Sequence, residues 1–322
     1  MPGAAFRLAL PALLLVAARA AVAEAPARAA EGQERQPFTV EMEVDVVSVT
    51  AVVFDKGGHL VHGLGPKDVE LLEDGVAQEL SLFREVSSEG DPAARVPLSV
   101  ALVLDTSGSM SQSLHFLQEA LLSFVYNLED VDQALVVSFN DTVKGSADFT
   151  GDTDRLERFV DGLQAWGGTS LYDAVHYSLE RIKDRSGRKA LIIFSDGADT
   201  TSSLGERTVV DYARAVEATV YCIGFTSRDG TSSRGFLRRI ASETGGQFFA
   251  PGKVGDLAKV FSEISEELKN NYLLAYAPKR AADRTWRRIE LKVKRPGAEV
   301  RLRKGYFAVP RRRATDREAP RG

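Results

Sequence analysis

The sequence predicts an α/β protein with a doubly wound, mostly parallel sheet that is inserted in, or flanked by, a small β-sandwich. Over residues 98–269, short apolar runs alternate with segments of helical periodicity, which is typical of a parallel sheet covered by helices on both faces. On either side of this segment, apolar and polar residues alternate with the two-residue period of β-strands. A length of 322 residues, 44% of them hydrophobic, is enough for about two domains with their own cores.

The first residues indicate export. Arg7 precedes an apolar stretch over residues 8–18, and Ala21-Val22-Ala23 has the small-residue pattern of a cleavage site. We therefore expect a signal peptide over residues 1–23, with an uncleaved anchor as the alternative, and a flexible linker over residues 24–37. The mature protein is then periplasmic or extracellular, and it has no transmembrane helix.

Residues 38–90 are predicted to form β-strands. Apolar residues alternate strongly in the first part, and Glu73-Asp74-Gly75 is a hairpin signal between two later runs. The strands are expected at residues 39–54, 60–61, 68–72 and 76–83.

The α/β domain is predicted over residues 96–269. Its strands are apolar runs and its helices have one apolar side. Strands are expected at residues 98–104, 134–139, 142–149 (an edge strand), 190–194 and 219–224. Helices are expected at residues 113–128, 153–163, 171–182, 206–217, 236–243 and 256–269.

Residues 270–308 are again predicted to be β-strands, at residues 271–277, 286–294 and 299–303. Small sheets need a partner surface to be stable, so we expect these strands to pair with those of residues 38–90 in one sandwich. Two separate small β units are the alternative. Residues 309–322 contain five arginines and are expected to be a flexible basic tail.

Charge and cysteine content exclude some classes of function. The formal net charge is −4, and it becomes −6 when Arg7 and Arg19 leave with the signal peptide, so no nucleic-acid partner is expected. The single cysteine, Cys222, lies in an apolar run and has no partner for an internal disulfide. We expect it to be a core residue.

Three short polar segments form the candidate site: Asp105-Thr-Ser-Gly-Ser109, Gly167-Gly-Thr-Ser170 and Ser195-Asp-Gly197. The first and third follow predicted strands, and loops at strand ends are where open α/β sheets bind ligands. Mg²⁺ prefers oxygen ligands, so we expect it here, with Mn²⁺ or Ca²⁺ as alternatives. The candidate metal ligands are Asp105, Ser107, Ser109, Thr169 and Asp196.

These segments resemble the von Willebrand factor type A domain with its metal-ion-dependent adhesion site. In that family a D-x-S-x-S segment, a threonine in a following loop and an aspartate at a later strand end hold the metal, and the five candidate ligands match those positions. Residues 40–307 also resemble an exported bacterial family of von Willebrand-related proteins, through Val49 to His59, Leu72 to Gly75 and Arg303 to Phe307.

The resemblance implies a binding protein and not an enzyme. We predict that the exported chain captures a carboxylate, from Asp or Glu, of a protein partner through the cation. The alternatives are an envelope protein whose metal only stabilises loops, and a metal-dependent hydrolase. An enzyme needs a general acid or base near the metal, and none of the four histidines lies in the three segments. No catalytic or cofactor-binding residue is assigned.

Overall fold

The computed structural model describes residues 46–87, 95–225 and 234–309. The predicted signal peptide, the linker, the first part of the strand expected at residues 39–54, and residues 310–322 of the basic tail lie outside these ranges. Among the helices within them, none has the length and apolar character needed to cross a membrane.

The described residues form three consecutive groups of elements. Four strands come first: β1 (Val47–Phe54), β2 (Val69–Glu73), β3 (Val76–Ala77) and β4 (Leu80–Val86). The α/β segment follows: β5 (Leu98–Asp105), α1 (Leu114–Tyr126), β6 (Gln133–Phe139), β7 (Val143–Gly145), α2 (Thr153–Asp161), α3 (Leu171–Ile182), β8 (Arg188–Ser195), α4 (Glu206–Ala215), β9 (Thr219–Gly224), α5 (Arg234–Thr244), β10 (Phe248–Phe249) and α6 (Leu257–Lys269). The last group is β11 (Asn271–Tyr276), β12 (Trp286–Val293), β13 (Glu299–Leu302) and β14 (Gly305–Phe307).

The α/β segment is built on a six-stranded sheet in the order β10-β9-β8-β5-β6-β7. The first five strands are parallel and β7 runs antiparallel to β6. Every residue of β5 is buried, because helices α1, α2 and α6 cover one face of the sheet and α3, α4 and α5 cover the other. This confirms the predicted fold class. Cys222 on β9 is fully buried, and burial raises the pKa of its thiol.

Two four-stranded antiparallel sheets accompany the central one, in the orders β13-β1-β11-β4 and β14-β12-β2-β3. Each combines strands from before and after the α/β segment. Alternate residues of both sheets, such as Val49, Leu71, Leu274 and Leu291, share one hydrophobic core. The two sheets therefore form a sandwich.

A buried charged group joins the two sheets of this sandwich. The carboxylate of Glu73 on β2 accepts hydrogen bonds from Arg287 (3.1 Å), from the hydroxyl of Tyr276 (2.9 Å) and from that of Tyr306 (2.8 Å). Tyr276 belongs to the other sheet. Burial is the main cause that raises the pKa of Tyr306 to about 12, so its hydroxyl remains a donor at neutral pH.

The α/β segment leaves the sandwich and returns to it through neighbouring strands. Strands β4 and β11 are antiparallel partners, with Val86 opposite Asn271. Helix α6 ends at Lys269, two residues before Asn271. The two ends of the inserted segment therefore lie side by side.

The structure differs from the prediction at several short elements. The strand expected at residues 76–83 is divided, because β3 stays beside β2 while β4 crosses to the other sheet. The edge strand expected at residues 142–149 is reduced to β7, and residues 60–61 contribute only an isolated bridge between Leu60 and Phe54. Strands β10 and β14, of two and three residues, are too short to show a period and were not predicted.

Candidate metal site

The site lies at the carboxyl ends of two adjacent parallel strands. Strand β5 ends at Asp105 and β8 ends at Ser195, and the register pairs Leu104 with Phe194. Asp105 is fully buried and Asp196 is 5% exposed. Asp105 and Ser195 are 90 residues apart in the sequence, and the parallel pairing brings them to one edge of the sheet.

Four of the five predicted ligands are connected by hydrogen bonds. The backbone N–H of Ser107 donates to Oδ1 of Asp105 at 2.9 Å. The Oγ atoms of Ser107 and Ser109 lie 3.0 Å apart, and the Ser109 hydroxyl donates to Oδ2 of Asp196 at 2.8 Å. We call Asp105, Ser107, Ser109 and Asp196 the oxygen cluster.

Thr169 lies in the loop next to the oxygen cluster. Trp166 donates its N–H to the carbonyl of Thr106 (2.9 Å), and Gly108 donates to the carbonyl of Gly167 (3.1 Å), so backbone bonds hold this loop against the first one. Thr169 itself is 5% exposed. Within the described ranges, no hydrogen bond joins its hydroxyl to the oxygen cluster. The structure therefore places the fifth residue beside the other four without connecting it to them.

Asp105 is surrounded by neutral hydrogen-bond donors. The pKa of its carboxyl is raised to about 6, mainly by burial and to a smaller extent by the nearby negative charge of Asp196. The hydrogen bonds from Ser107 and Ser195 lower the pKa and so partly offset this increase. The Ser195 hydroxyl donates to Oδ2 of Asp105 at 2.6 Å. When Asp105 is ionised, its carboxylate has no positively charged partner among the described residues. A bound cation would supply that partner.

The donor set fits a hard divalent cation. At Mg²⁺–oxygen distances of 2.0–2.1 Å, neighbouring ligands of an octahedron lie about 2.9 Å apart. The hydroxyl and carboxylate oxygens of the cluster lie 3.0 Å apart between Ser107 and Ser109, and 2.8 Å apart between Ser109 and Asp196. The described residues contain no group of three or more His, Cys, Asp or Glu side chains placed to hold a metal. The neutral ligands that the oxygen cluster offers are hydroxyls, and Mg²⁺ usually keeps several waters besides.

Two further residues shape the site, and sequence reasoning gave neither of them a role. Ser195 orients Asp105, as described above. Asp141, just after β6, accepts a hydrogen bond from the N–H of Gly168 at 2.8 Å. A Cβ atom on Gly167, whose φ is 76°, or on Gly168 would come within 2.2 or 2.5 Å of the Asp141 carboxylate. The glycine pair thus makes room for Asp141, and the position of Asp141 just after a predicted strand is the signal that could have identified it.

Asp173 and Asp199 lie near the site but have structural partners. Asp199 accepts hydrogen bonds from the N–H of Tyr172 (3.2 Å) and from the hydroxyl of Ser202 (2.6 Å). Asp173 accepts two from the backbone of the same loop, at Ser203 and Leu204. Both carboxylates therefore attach the loop after β8 to the first turn of α3.

Comparison with known proteins agrees with the fold. The family model of the von Willebrand factor type A domain matches residues 99–263, about half of the chain. The chain belongs to the von Willebrand factor type A family. The matched residues begin on β5, end on α6, and include all five predicted ligands.

Individual von Willebrand relatives are distant. Inter-alpha-trypsin inhibitor heavy chain H4 of Homo sapiens is 25% identical over 200 residues, which are 56% of this chain and 21% of that protein. The uncharacterized protein YwmC of Bacillus subtilis is 24% identical over 197 residues, 53% of this chain and 85% of YwmC. The chain spans about a fifth of the length of the inhibitor heavy chains it matches.

Among solved structures, the chain is similar to a von Willebrand factor type A protein from Catenulispora acidiphila. The sequence identity is 15%, the match covers 87% of this chain and 76% of that one, and the TM-score is 0.48.

Proposed function

We propose that the protein is a binding module that uses a divalent cation, preferably Mg²⁺, to capture the carboxylate of an Asp or Glu on a protein partner. The observation that carries this proposal is the oxygen cluster, in which two buried carboxylates and two hydroxyls meet at one sheet edge, and no basic side chain of the described residues is paired with them. Family membership supports it, because von Willebrand factor type A domains are typically protein-interaction modules.

Each residue of the site has a part in this function. Asp105 and Asp196 provide negative charge that attracts the cation, while Ser107, Ser109 and Thr169 provide neutral oxygens. Neutral ligands do not cancel the charge of the ion, so with Asp105 and Asp196 bound mostly through water it would stay attractive to an incoming carboxylate. When bound, the cation supplies the positive charge that recognises the acidic partner.

A purely structural metal is the second candidate function. The oxygen cluster already joins the loops after β5 and β8, through Ser109 and Asp196. A cation bound there would strengthen that connection without any partner. The exported, envelope-located character of such a protein rests on the predicted signal peptide.

A hydrolase has less support, because the four histidines all lie elsewhere. His59 contacts Asp55, His62 contacts Glu85, and His115 contacts Glu119. His176 packs on the ring of Tyr212. A metal-bound water would therefore have no histidine as its general base.

Titration calorimetry with Mg²⁺ and Mn²⁺ tests the metal site. We expect the unaltered protein to bind one ion and Asp196→Asn to bind it about tenfold or more weakly, since mutations around metal sites typically cost 10–100-fold in affinity. Asp161→Asn is the matched control, because Asp161 is an exposed residue at the end of α2. Absence of binding by the unaltered protein would refute the proposal.

The binding function needs a second experiment. Immobilised protein is incubated with an envelope extract in Mg²⁺, and the bound material is eluted with a chelator. We expect a protein that is retained by the unaltered chain and by Asp161→Asn, but not by Asp196→Asn. Metal binding without chelator-sensitive retention of any protein would favour the structural function instead.

A further inference from the structure

Trp166 is a half-exposed tryptophan in the loop between α2 and α3, with 51% of its surface accessible. Its backbone N–H donates at 2.9 Å to the carbonyl of Thr106, in the loop that carries three of the four residues of the oxygen cluster. The next residue, Gly167, accepts a hydrogen bond from the N–H of Gly108 in that same loop, at 3.1 Å. The backbone of Trp166 is therefore held directly beside the candidate metal site.

The ring of Trp166 has fewer partners than the other exposed aromatic side chains of the described residues. Phe116 contacts the ring of His115, and Tyr126 interacts with the carboxylate of Glu157. The indole of Trp166 has no aromatic, cationic or hydrogen-bonding partner within the described ranges. Its apolar face and its N–H donor are therefore both available to another molecule.

A tryptophan in this position suits the recognition of a protein partner. Tryptophan offers a large contact area while only two side-chain torsion angles have to be ordered, and it is enriched among the residues that dominate binding. Because backbone hydrogen bonds already fix Trp166 and its neighbour, little further order is lost when a partner packs on the ring.

The charge beside Trp166 limits which side chain the ring can receive. Asp141 is exposed, and its carboxylate accepts a hydrogen bond at 2.8 Å from the N–H of Gly168, two residues after Trp166. This negative charge would repel a second acidic residue of the partner. An apolar or aromatic side chain carries no such penalty and matches the face of the ring.

We propose that Trp166 makes a second contact with the partner, and that the partner's acidic residue has an apolar or aromatic residue two positions away in an extended segment. This proposal rests on the carboxylate capture proposed above. In an extended segment, side chains two positions apart point to the same side. A segment whose carboxylate reaches the cation therefore also directs these neighbours towards the surface around the metal site.

Four immobilised peptides with blocked termini test this pattern. Gly-Phe-Gly-Asp-Gly-Phe-Gly has it, Gly-Gly-Gly-Asp-Gly-Gly-Gly lacks the aromatic residues, Gly-Lys-Gly-Asp-Gly-Lys-Gly replaces them by lysine, and Gly-Phe-Gly-Asn-Gly-Phe-Gly lacks the carboxylate. Binding of the full protein in saturating Mg²⁺ is measured on a biosensor. We expect the Phe-Asp peptide to bind about five- to tenfold more tightly than the glycine peptide, a typical effect of a tryptophan contact. The Asn peptide should not bind.

Substitution of Trp166 separates this contact from the metal site. Trp166→Ala should bind Mg²⁺ as the unaltered protein does, in titration calorimetry, but should lose the preference for the Phe-Asp peptide over the glycine peptide. Trp166→Phe keeps a ring and should keep most of the preference. Tyr126→Ala is the matched control, because Tyr126 is an exposed aromatic residue at the far end of α1, roughly 20 Å along the helix axis.

Fluorescence detects the contact with the native side chain in place. In Trp286→Phe, Trp166 is the remaining tryptophan of the chain. In saturating Mg²⁺ the Phe-Asp peptide should shift its emission to shorter wavelength, because the ring leaves water, whereas the glycine peptide should not. This measurement decides the question if Trp166→Ala binds Mg²⁺ poorly.

The proposal alone is overturned if the Asp peptides bind better than the Asn peptide but the glycine or lysine peptide binds as tightly as the Phe-Asp peptide. It is also overturned if Trp166→Ala keeps the preference. Equal binding of the Asp and Asn peptides, binding that survives a chelator, or no binding of any peptide would refute carboxylate capture, and the contact with Trp166 would fall with it.

Discussion

Asp105 makes the folded, metal-free protein sensitive to pH. Its pKa is raised from 3.8 to about 6 in the fold, chiefly by burial. The folded chain therefore holds this proton more tightly than the unfolded chain does, so the free energy of unfolding falls as the pH rises from about 4 to about 6. Two units of pKa correspond to roughly 3 kcal/mol. At neutral pH the buried carboxylate of Asp105 therefore destabilises the metal-free folded state.

Replacing Asp105 by Asn should remove this destabilisation of the metal-free protein. In a chelator at pH 7.5, we expect Asp105→Asn to be more stable than the unaltered protein by about 1–3 kcal/mol, because the amide has the same shape and no charge. Near pH 4 the difference should largely disappear. Urea unfolding at both pH values measures it, and a less stable variant at pH 7.5 would contradict the prediction. In Mg²⁺ the order should reverse, since Asp105→Asn loses a ligand.

Gly167 should not tolerate a larger residue. Its positive φ and its distance from Asp141 mean that Gly167→Ala is both strained and crowded, with an expected loss of about 1–3 kcal/mol in unfolding free energy. The shifted loop should also bind Mg²⁺ more weakly, because it carries Thr169. Gly235→Ala is the control, since a Cβ on this α5 glycine meets nothing within 4 Å. Equal stability of the two variants would show that the loop adapts.

At the scale of elements, the buried Glu73 holds together strands of both sandwich sheets. Glu73→Gln would remove the buried charged partner of Arg287, which is itself fully buried and would keep only the half-exposed Asp283 at 3.4 Å, and we expect a loss of about 3–5 kcal/mol. Tyr276→Phe removes only one neutral donor and should cost about 1–2 kcal/mol. Denaturant unfolding compares both with Glu70→Gln, an exposed change on the same strand that should have almost no effect. A similarly small effect of Glu73→Gln would show that the ion pair is dispensable.

Helices and strands in which apolar residues recur at a regular spacing were predictable from the sequence, and very short elements were not. Helix α3 and strand β9 have the predicted bounds, because their apolar residues follow one period throughout. Strand β4 was joined to β3 in the prediction since nothing at residues 78–79 signals a change of sheet. That change depends on which strand of the other sheet is available, and β11 lies far away in the sequence.

The site was predictable to a similar extent. Strand ends of a parallel sheet meet at one edge, so sequence reasoning brought Asp105 and Asp196 together, and the structure agrees. The roles of Ser195 and Asp141 depend on side-chain contacts across strands, which no local pattern encodes.

At the scale of the whole molecule, the described part of the chain beyond residue 44 packs as one compact unit. We therefore expect the sandwich and the α/β segment to unfold together. The chain has two tryptophans, one in each part. Trp166 lies beside the candidate metal site and reports on the α/β segment, and Trp286 lies on β12 and reports on the sandwich. Fluorescence of the Trp166→Phe and Trp286→Phe variants should give one common unfolding midpoint, and two different midpoints would show independent domains.

Metal should stabilise both parts through this coupling. At a Mg²⁺ concentration 100 times the Kd, a site present only in the folded state adds about 2.7 kcal/mol to the free energy of unfolding. Both tryptophan signals should move by the same amount in denaturant. In Asp196→Asn, which should bind the ion tenfold or more weakly, the stabilisation at the same Mg²⁺ concentration should be at most about 1.4 kcal/mol, so both signals should move by about half as much or less. A shift of the Trp166 signal alone would mean that the sandwich does not sense the metal.

The pairing of β4 with β11 also has a consequence for the order in which the chain folds. Strand β1 has both of its sheet neighbours, β11 and β13, beyond the inserted segment, so its sheet cannot form while only the first part of the chain has been made. Once the α/β segment has folded, its two ends lie together and the long loop between Val86 and Asn271 is already closed. Closing a loop of that length in an open chain would cost roughly 2–3 kcal/mol more than closing a short one. The folded α/β segment thus holds β4 and β11 close together, and the sandwich should be the last part of the molecule to assemble.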